Sequence, residues 1–259
     1  MNILHEQDFR CAAAFPDGSG RVMISNMSTN KLLIIDNAGN VVGSSPDECH
    51  FDRPEALAFD NNTDELYVSD RYNHCVKVLD YKHGFKLLRI IGGNGELEQP
   101  IGIALDPKEE KLYVADSRNN RIVVFTRKGE LVNTIGGEND KLMLSGPSGI
   151  ALYQGMVIVS EWGNDRVHVF KNGKPLLVAH GFPHGQHLTV DPRTGTVYVA
   201  LFLHRKIRKL NIFVAADAAP QFTIYDESIG LDFMPNGLLI HNDHLCIITK
   251  TFVRRVNVF

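Results

Sequence analysis

Residues 103–125 read IALDPKEEKLYVADSRNNRIVVF. Two alternating apolar runs, KLYVAD and RIVVF, flank the polar stretch SRNN. Residues 57–79, LAFDNNTDELYVSDRYNHCVKVL, carry the same pattern, and residues 150–170, IALYQGMVIVSEWGNDRVHVF, carry it again. The units align on RPEALAFD from Arg53, QPIGIALD from Gln99 and GPSGIALY from Gly146, so Pro54, Pro100 and Pro147 stand 46 and 47 residues apart. Weaker copies are GQHLTVD from Gly185 and MPNGLLIH from Met234, and a degenerate one, FRCAAAFPDG, begins at Phe9.

Short β-branched runs separated by Asn, Asp and Gly are strands joined by hairpins. A period in the forties, with about four strands per unit, is the period of a propeller blade. The nearest helical candidate, FVAADAAPQF, is broken by Pro220. One four-stranded sheet cannot bury both faces, whereas blades stacked radially cover one another with Val, Leu, Ile and Phe. Six copies predict an all-β fold: a six-bladed β-propeller of four-stranded antiparallel blades, occupying 1–259 as a single domain. The last copy is one strand short, so NILHE before the first copy is expected to pair with the last blade and close the ring.

The chain has 259 residues, 44% hydrophobic and 22% charged, with a net charge of −3. That balance gives no global field for nucleic acid or anionic lipid. No apolar stretch reaches membrane-spanning length. MNILHEQDFRC lacks the basic flank and apolar run of a signal peptide. Cys11, Cys49, Cys75 and Cys246 share no CxxC spacing and read as reduced thiols, so a cytoplasmic location is expected.

The pattern PxGIAxD, then LYVADxxNxRIxVF, then GG resembles NHL repeats, most closely in blades two to four. The resemblance implies a six-bladed propeller similar to the C-terminal domain of TRIM-NHL proteins, which bind proteins or single-stranded RNA. It also implies a possible role in substrate recognition for a RING/TRIM-type ubiquitin ligase. A catalytic relative, the peptidyl-amidoglycolate lyase, uses the same fold with a metal. Fold alone does not choose among these functions.

In a propeller, the residues opening the innermost strands ring the channel mouth. Here these are Arg10, Glu55, Ile101, Ser148, Gln186 and Asn236. The turns between second and third strands share that top face. They begin at Asn26, Asp70, Asp116, Glu161, Leu201 and Lys250. A catalytic metal held by imidazoles requires histidines at the ring, and no ring position is histidine. Strand alternation is expected to turn His187 away from the channel, while His50 and His184 lie in loops. An oxygen cage from Glu55, Gln186, Asn236, Asp70 and Asp116 is a second metal reading. Against it, Asp70 and Asp116 recur at one turn, which favours a structural role. Neither metal nor cofactor is expected. There is no GxSxG, Walker loop or HExxH, and the Gly92–Gly93 and Gly136–Gly137 pairs read as inter-blade turns.

The recurring Asn73, Asn119 and Asn164 suit left-handed turns. The recurring Arg121 and Arg166 are expected to lie along the neighbouring blade and bond carbonyls. Residues that vary on the same face are free to specify a ligand: Arg53, Arg71, Tyr72, Arg118, Trp162, Phe202, His204, Lys250 and Phe252. Together with Arg10, Glu55, Gln186 and Asn236 they form the candidate binding face. Aromatics and arginines in such a mix are what binding hot spots use. The runs HRKIRK (204–209) and KTFVRR (250–255) are cationic, either for contact with phosphate or an acidic partner, or as an edge-strand defence. The expected activity is non-enzymatic binding of a protein by a monomer. Single-stranded RNA is the alternative ligand, and no membrane partner is expected.

Overall fold

Each copy of the repeat folds as an antiparallel sheet whose strands are hydrogen-bonded in chain order. The structure, a computed structural model, describes residues 8–137, 144–213, 221–241, 244–250 and 252–257. Blade one holds β1 (Phe9–Ala14), β2 (Val22–Asn26), β3 (Lys31–Ile35) and β4 (Val41–Ser44). Blade two holds β5 (Pro54–Asp60), β6 (Glu65–Asp70), β7 (Cys75–Asp80) and β8 (Lys86–Ile91). Blade three holds β9 (Pro100–Asp106), β10 (Lys111–Asp116), β11 (Arg121–Thr126) and β12 (Leu131–Gly136). Blade four holds β13 (Pro147–Tyr153), β14 (Met156–Glu161), β15 (Arg166–Lys171) and β16 (Lys174–His180). Blade five holds β17 (Gly185–Val190), β18 (Thr196–Leu201), β19 (Lys206–Phe213) and β20 (Gln221–Gly230). Blade six shows β21 (Gly237–His241), β22 (His244–Ile248) and β23 (Val253–Asn257) among the described residues. The segment NILHE, expected to complete that blade, lies outside the described residues.

Alternation puts apolar side chains on both faces of each blade, and six hydrophobic clusters fill the six seams. Leu66 and Val68 of blade two meet Met23 and Leu32 of blade one. On its other face, Tyr67 and Val78 meet Leu112 and Phe125 of blade three. Ile122 meets Val159 and Phe170 across the next seam. Ile158 and Val169 meet Val197 and Leu210. Tyr198 and Ile207 meet Leu245 and Ile247. The sixth cluster joins Phe9 and Ile24 of blade one to Ile248 of blade six, which closes the ring. Each fully buried side chain of this size contributes roughly 1.5–3 kcal/mol relative to exposure. The four cysteines are free and buried.

The innermost strands share one irregularity. In β1, β5, β13 and β17 the pairing with the second strand slips near the strand start, between Phe9 and Ala12, Pro54 and Leu57, Pro147 and Ile150, and Gly185 and His187. β9 slips in the same place, opposite Val114 and Asp116. Such a bulge leaves a residue unpaired and re-aims its side chain. The re-aimed residues are Arg10, Glu55, Ile101, Ser148 and Gln186.

A serine at the end of the second strand satisfies the freed backbone. Ser25 Oγ accepts from Cys11 N (3.1 Å) and donates to Glu55 O (2.5 Å) on the next blade. Ser69 Oγ accepts from Ala56 N (2.8 Å) and donates to Ile101 O (2.6 Å). Ser160 Oγ accepts from Gly149 N (2.9 Å). The glycine of the repeat allows this close packing. A Cβ on Gly149 would stand 2.8 Å from Leu188 N of the next blade, and one on Gly102 would overlap Ser148 O.

Candidate binding interface at the channel mouth

The bulges and the turns that follow the second strands enclose a cavity of about 490 Å³ at the top of the channel. Arg10, Glu55, Ile101, Ser148 and Gln186 line it from the innermost strands, and Arg71, Arg118, Trp162 and Phe202 line it from the turns. Seven of the thirteen residues expected on the binding face therefore meet in one cavity: Arg10, Glu55, Arg71, Arg118, Trp162, Gln186 and Phe202.

Beneath the turns of blades two, three and four sits a carboxylate that holds each in place. Asp116 is fully buried, and it accepts from Glu98 N (2.6 Å), Asn119 Nδ2 (2.9 Å) and Arg121 Nε (2.7 Å). Asp70 accepts from Asp52 N (2.7 Å) and Asn73 Nδ2 (2.7 Å), and pairs with Lys77 Nζ at 2.7 Å. Glu161 accepts from Ser145 N (3.0 Å), Asn164 Nδ2 (2.6 Å) and Arg166 Nε (2.8 Å), and meets His168 Nδ1 at 2.6 Å. Burial alone would raise the Glu161 pKa. The bonds from His168, Arg166, Asn164 and Ser145 outweigh that and hold it at about 2.

These hubs refine two expectations. The recurring Asn anchors the carboxylate through its side chain; the left-handed residue is the next one, His74, Asn120 or Asp165. The recurring Arg chiefly serves the carboxylate. Arg121 Nη2 also reaches a carbonyl, Glu96 O, at 2.7 Å. Among the described residues, no group of three or more His, Cys, Asp or Glu is placed to hold a metal.

Charge is unevenly distributed around the cavity. Glu55 is buried and accepts from Arg71 Nη1 (2.9 Å). Burial pushes its carboxyl pKa up against the pull of Arg10 and Arg71. Arg71 Nη2 donates to Gln99 Oε1 (3.3 Å), and Arg10 Nη2 donates to Asp8 Oδ2 (3.0 Å). Gln186 Oε1 and the Nε atoms of Arg10 and Arg71 are buried without a hydrogen-bond partner among the described residues. The Arg118 guanidinium is exposed and makes no hydrogen bond or ion pair among the described residues. The opposite wall is aromatic. The half-buried Trp162 packs edge-on against His184 (centroids 5.0 Å apart) and tilted against Phe202 (6.1 Å), and His184 stacks on His204 (5.7 Å).

The other expected residues lie beside the cavity or away from it. Arg53 covers the Tyr72 ring at 4.6 Å and donates to its hydroxyl, forming an exposed pair on the rim. His204 stands behind His184. Asn236 is buried, and its Nδ2 donates to Phe9 O (2.6 Å) across the seam between the last and first blades. Lys250 is exposed and its carbonyl accepts from Phe9 N (3.2 Å). Phe252 packs edge-on against Phe233 (5.1 Å).

His187 departs from expectation. The bulge shifts the alternation by one, so His187 lines the channel below the mouth. Its Nδ1 accepts from Leu238 N (3.3 Å), which leaves the proton on Nε2, 3.2 Å from Cys11 Sγ. Burial pushes the imidazole down to about 4 and the thiol up to about 12. At neutral pH both are uncharged, so this is not a thiolate–imidazolium couple.

The basic run 204–209 also reads differently in three dimensions. Residues 206–209 lie on β19, paired on both sides, so they do not guard an edge. Arg208 bonds Gly181 O and covers Phe182 (5.2 Å), and Lys209 lies 6.0 Å from the Tyr198 ring. The sequence reading missed the serines at 25, 69 and 160. Their signal is a hydroxyl immediately before the turn residue in ISN, VSD and VSE.

No helix among the described residues is long and apolar enough to cross a membrane. No curated protein sequence matches the chain. Among solved structures, the virginiamycin B lyase of Staphylococcus aureus superimposes with a TM-score of 0.69 at 12% identity, over 100% of this chain and 98% of that one. A chain of a nidogen/laminin complex gives 0.69 at 17% identity, over 81% and 78%. The hydrazine synthase of Kuenenia stuttgartiensis gives 0.65 at 20% identity, over 95% and 75%. At these identities the likeness concerns the fold alone. In sequence, residues 51–79 and 97–125, the first three strands of blades two and three, match the NHL repeat.

Proposed function

We propose that the chain is a non-enzymatic recognition module that docks a protein partner at the channel mouth. The supporting observation is a division of labour within the repeat. At the turns, recurring residues hold the scaffold: Asp70, Asp116 and Glu161 with their Asn and cation partners. The side chains that face the cavity from these turns differ from blade to blade: Arg71, Ser117, Trp162 and Phe202 stand at equivalent positions, and Arg118 follows one residue later. Arg118, Trp162 and Phe202 take no part in the carboxylate hubs, and tryptophan and arginine are among the types that dominate binding energy. In a longer chain carrying a RING domain, such a module would select the ligase substrate.

The test is capture of partners from lysate by the wild-type chain, Trp162→Ala and Arg118→Ala, beside thermal melts. Loss of a specific partner with the melting temperature retained supports the reading. Retention of every partner by both variants refutes it. The aromatic row Trp162, Phe202, His184 and His204 favours a second reading, stacking of single-stranded RNA bases. A salt-sensitive shift with oligouridylate that Trp162→Ala abolishes would decide for it.

A further inference from the structure

The mouth has two chemically different halves. Arg10, Arg71 and Arg118 come from blades one to three, and Trp162 and Phe202 from blades four and five. The carboxylate among the lining residues, Glu55, is buried and already bonded to Arg71. Arg118 is exposed and uncommitted, with the other two guanidinium groups on the same cavity. An entering cation would meet three positive groups and one occupied carboxylate, whereas an entering carboxylate gains a planar donor fork. The rim carboxylates Glu98 and Asp165 are exposed and do not line the cavity. A volume of about 490 Å³ falls in the range that holds a small ligand or a few side chains rather than a whole protein face.

Resting on the reading of the mouth as a protein-docking site, we propose that its partner inserts an acidic peptide segment, with an Asp or Glu carboxylate on Arg118 and an adjacent aromatic or large aliphatic side chain against Trp162 and Phe202. The charged half sets register and the aromatic half supplies buried area.

The experiment is selection of random displayed peptides on the purified chain. Enriched sequences are resynthesised as pairs differing by Glu→Gln or Asp→Asn. Binding is followed by the fluorescence of Trp162, the only tryptophan, and in Trp162→Ala by the anisotropy of a dye-labelled peptide. The enriched peptides should carry an acidic residue next to a large apolar one. Their affinity should fall about tenfold on amidation of the acid and about tenfold in Arg118→Gln, as for loss of one charge-assisted hydrogen bond. Arg118 makes no side-chain hydrogen bond or ion pair among the described residues, so this variant should melt like the wild type. If the enriched peptides need Trp162 but ignore both amidation and Arg118→Gln, the acidic ligand is overturned while the docking site stands. If nothing is enriched, or binding survives Trp162→Ala, or oligouridylate alone alters the fluorescence, both are overturned.

Discussion

Glu161→Gln tests whether the repeated carboxylate hub supports the turn that presents Trp162. Glu161 is fully buried and faces donors from Ser145, Asn164 and Arg166, with His168 at 2.6 Å. An ordinary glutamate titrates near 4.5, whereas Glu161 is held at about 2. At about 1.4 kcal/mol per tenfold change in proton affinity, the depression contributes about 3 kcal/mol to stability. Breaking a buried ion pair from one side gives the same order, about 3–5 kcal/mol. The amide retains the volume but points an NH₂ group at other donors. The folded-state pKa lies below the unfolded one. The contribution is therefore present above the ordinary glutamate range and is lost as pH falls through about 2. At neutral pH the variant should melt roughly 6–12 °C below the wild type, from about 2–4 °C per kcal/mol for a chain of this size. Urea unfolding at stepped pH should show the gap between the two proteins narrowing from about pH 5 to about pH 2. A gap that stays constant over that window, or a neutral-pH loss below about 1 kcal/mol, would refute the hub as the source of the stability.

Further outcomes follow from individual contacts. Arg71→Ala strips buried Glu55 of its bonded cation, so it should cost about 2 kcal/mol in thermal melts, while Arg118→Ala should melt like the wild type. Asn236→Ala removes the buried bond to Phe9 O and should cost about 1–3 kcal/mol in urea unfolding; affinity for any peptide found at the mouth should stay unchanged. Ser69→Ala leaves Ala56 N without its acceptor and Ile101 O without this donor, and a loss of about 1–3 kcal/mol is expected in the same assay.

The blade count was legible because it depends on a period, and a period survives degenerate copies such as FRCAAAFPDG. The mouth residues were legible for a related reason. Alignment on Pro54, Pro100 and Pro147 carries Arg10, Glu55 and Gln186 to one level of the channel. His187 was misread because alternation assumes an unbroken ladder, and the bulge at Gln186 shifts it by one residue. Of the two readings of the basic stretch 204–209, edge defence failed because composition does not reveal which strand lies outermost. Lys206, Ile207 and Arg208 have strand partners on both sides, and the outer strand of that blade is β20. Asn236 illustrates a further limit. A polar residue at a ring position looks the same in sequence whether its amide faces a ligand or bonds the backbone of the adjoining blade.

That amide sets a temporal order on folding. A blade is made of neighbours in the chain, so its hairpins can form as each stretch emerges during synthesis. The bond from Asn236 to Phe9 O joins residues 227 apart, and the cluster of Phe9, Ile24 and Ile248 spans the same gap. Until Ile248 has been translated, one face of blade one has no partner, and its apolar side chains stand open to water or to another nascent chain. The protein is therefore most vulnerable to aggregation between synthesis of its first blade and its last. Weakening this seam, as in Asn236→Ala, should prolong the exposure of that face after synthesis more than weakening any seam between consecutive blades.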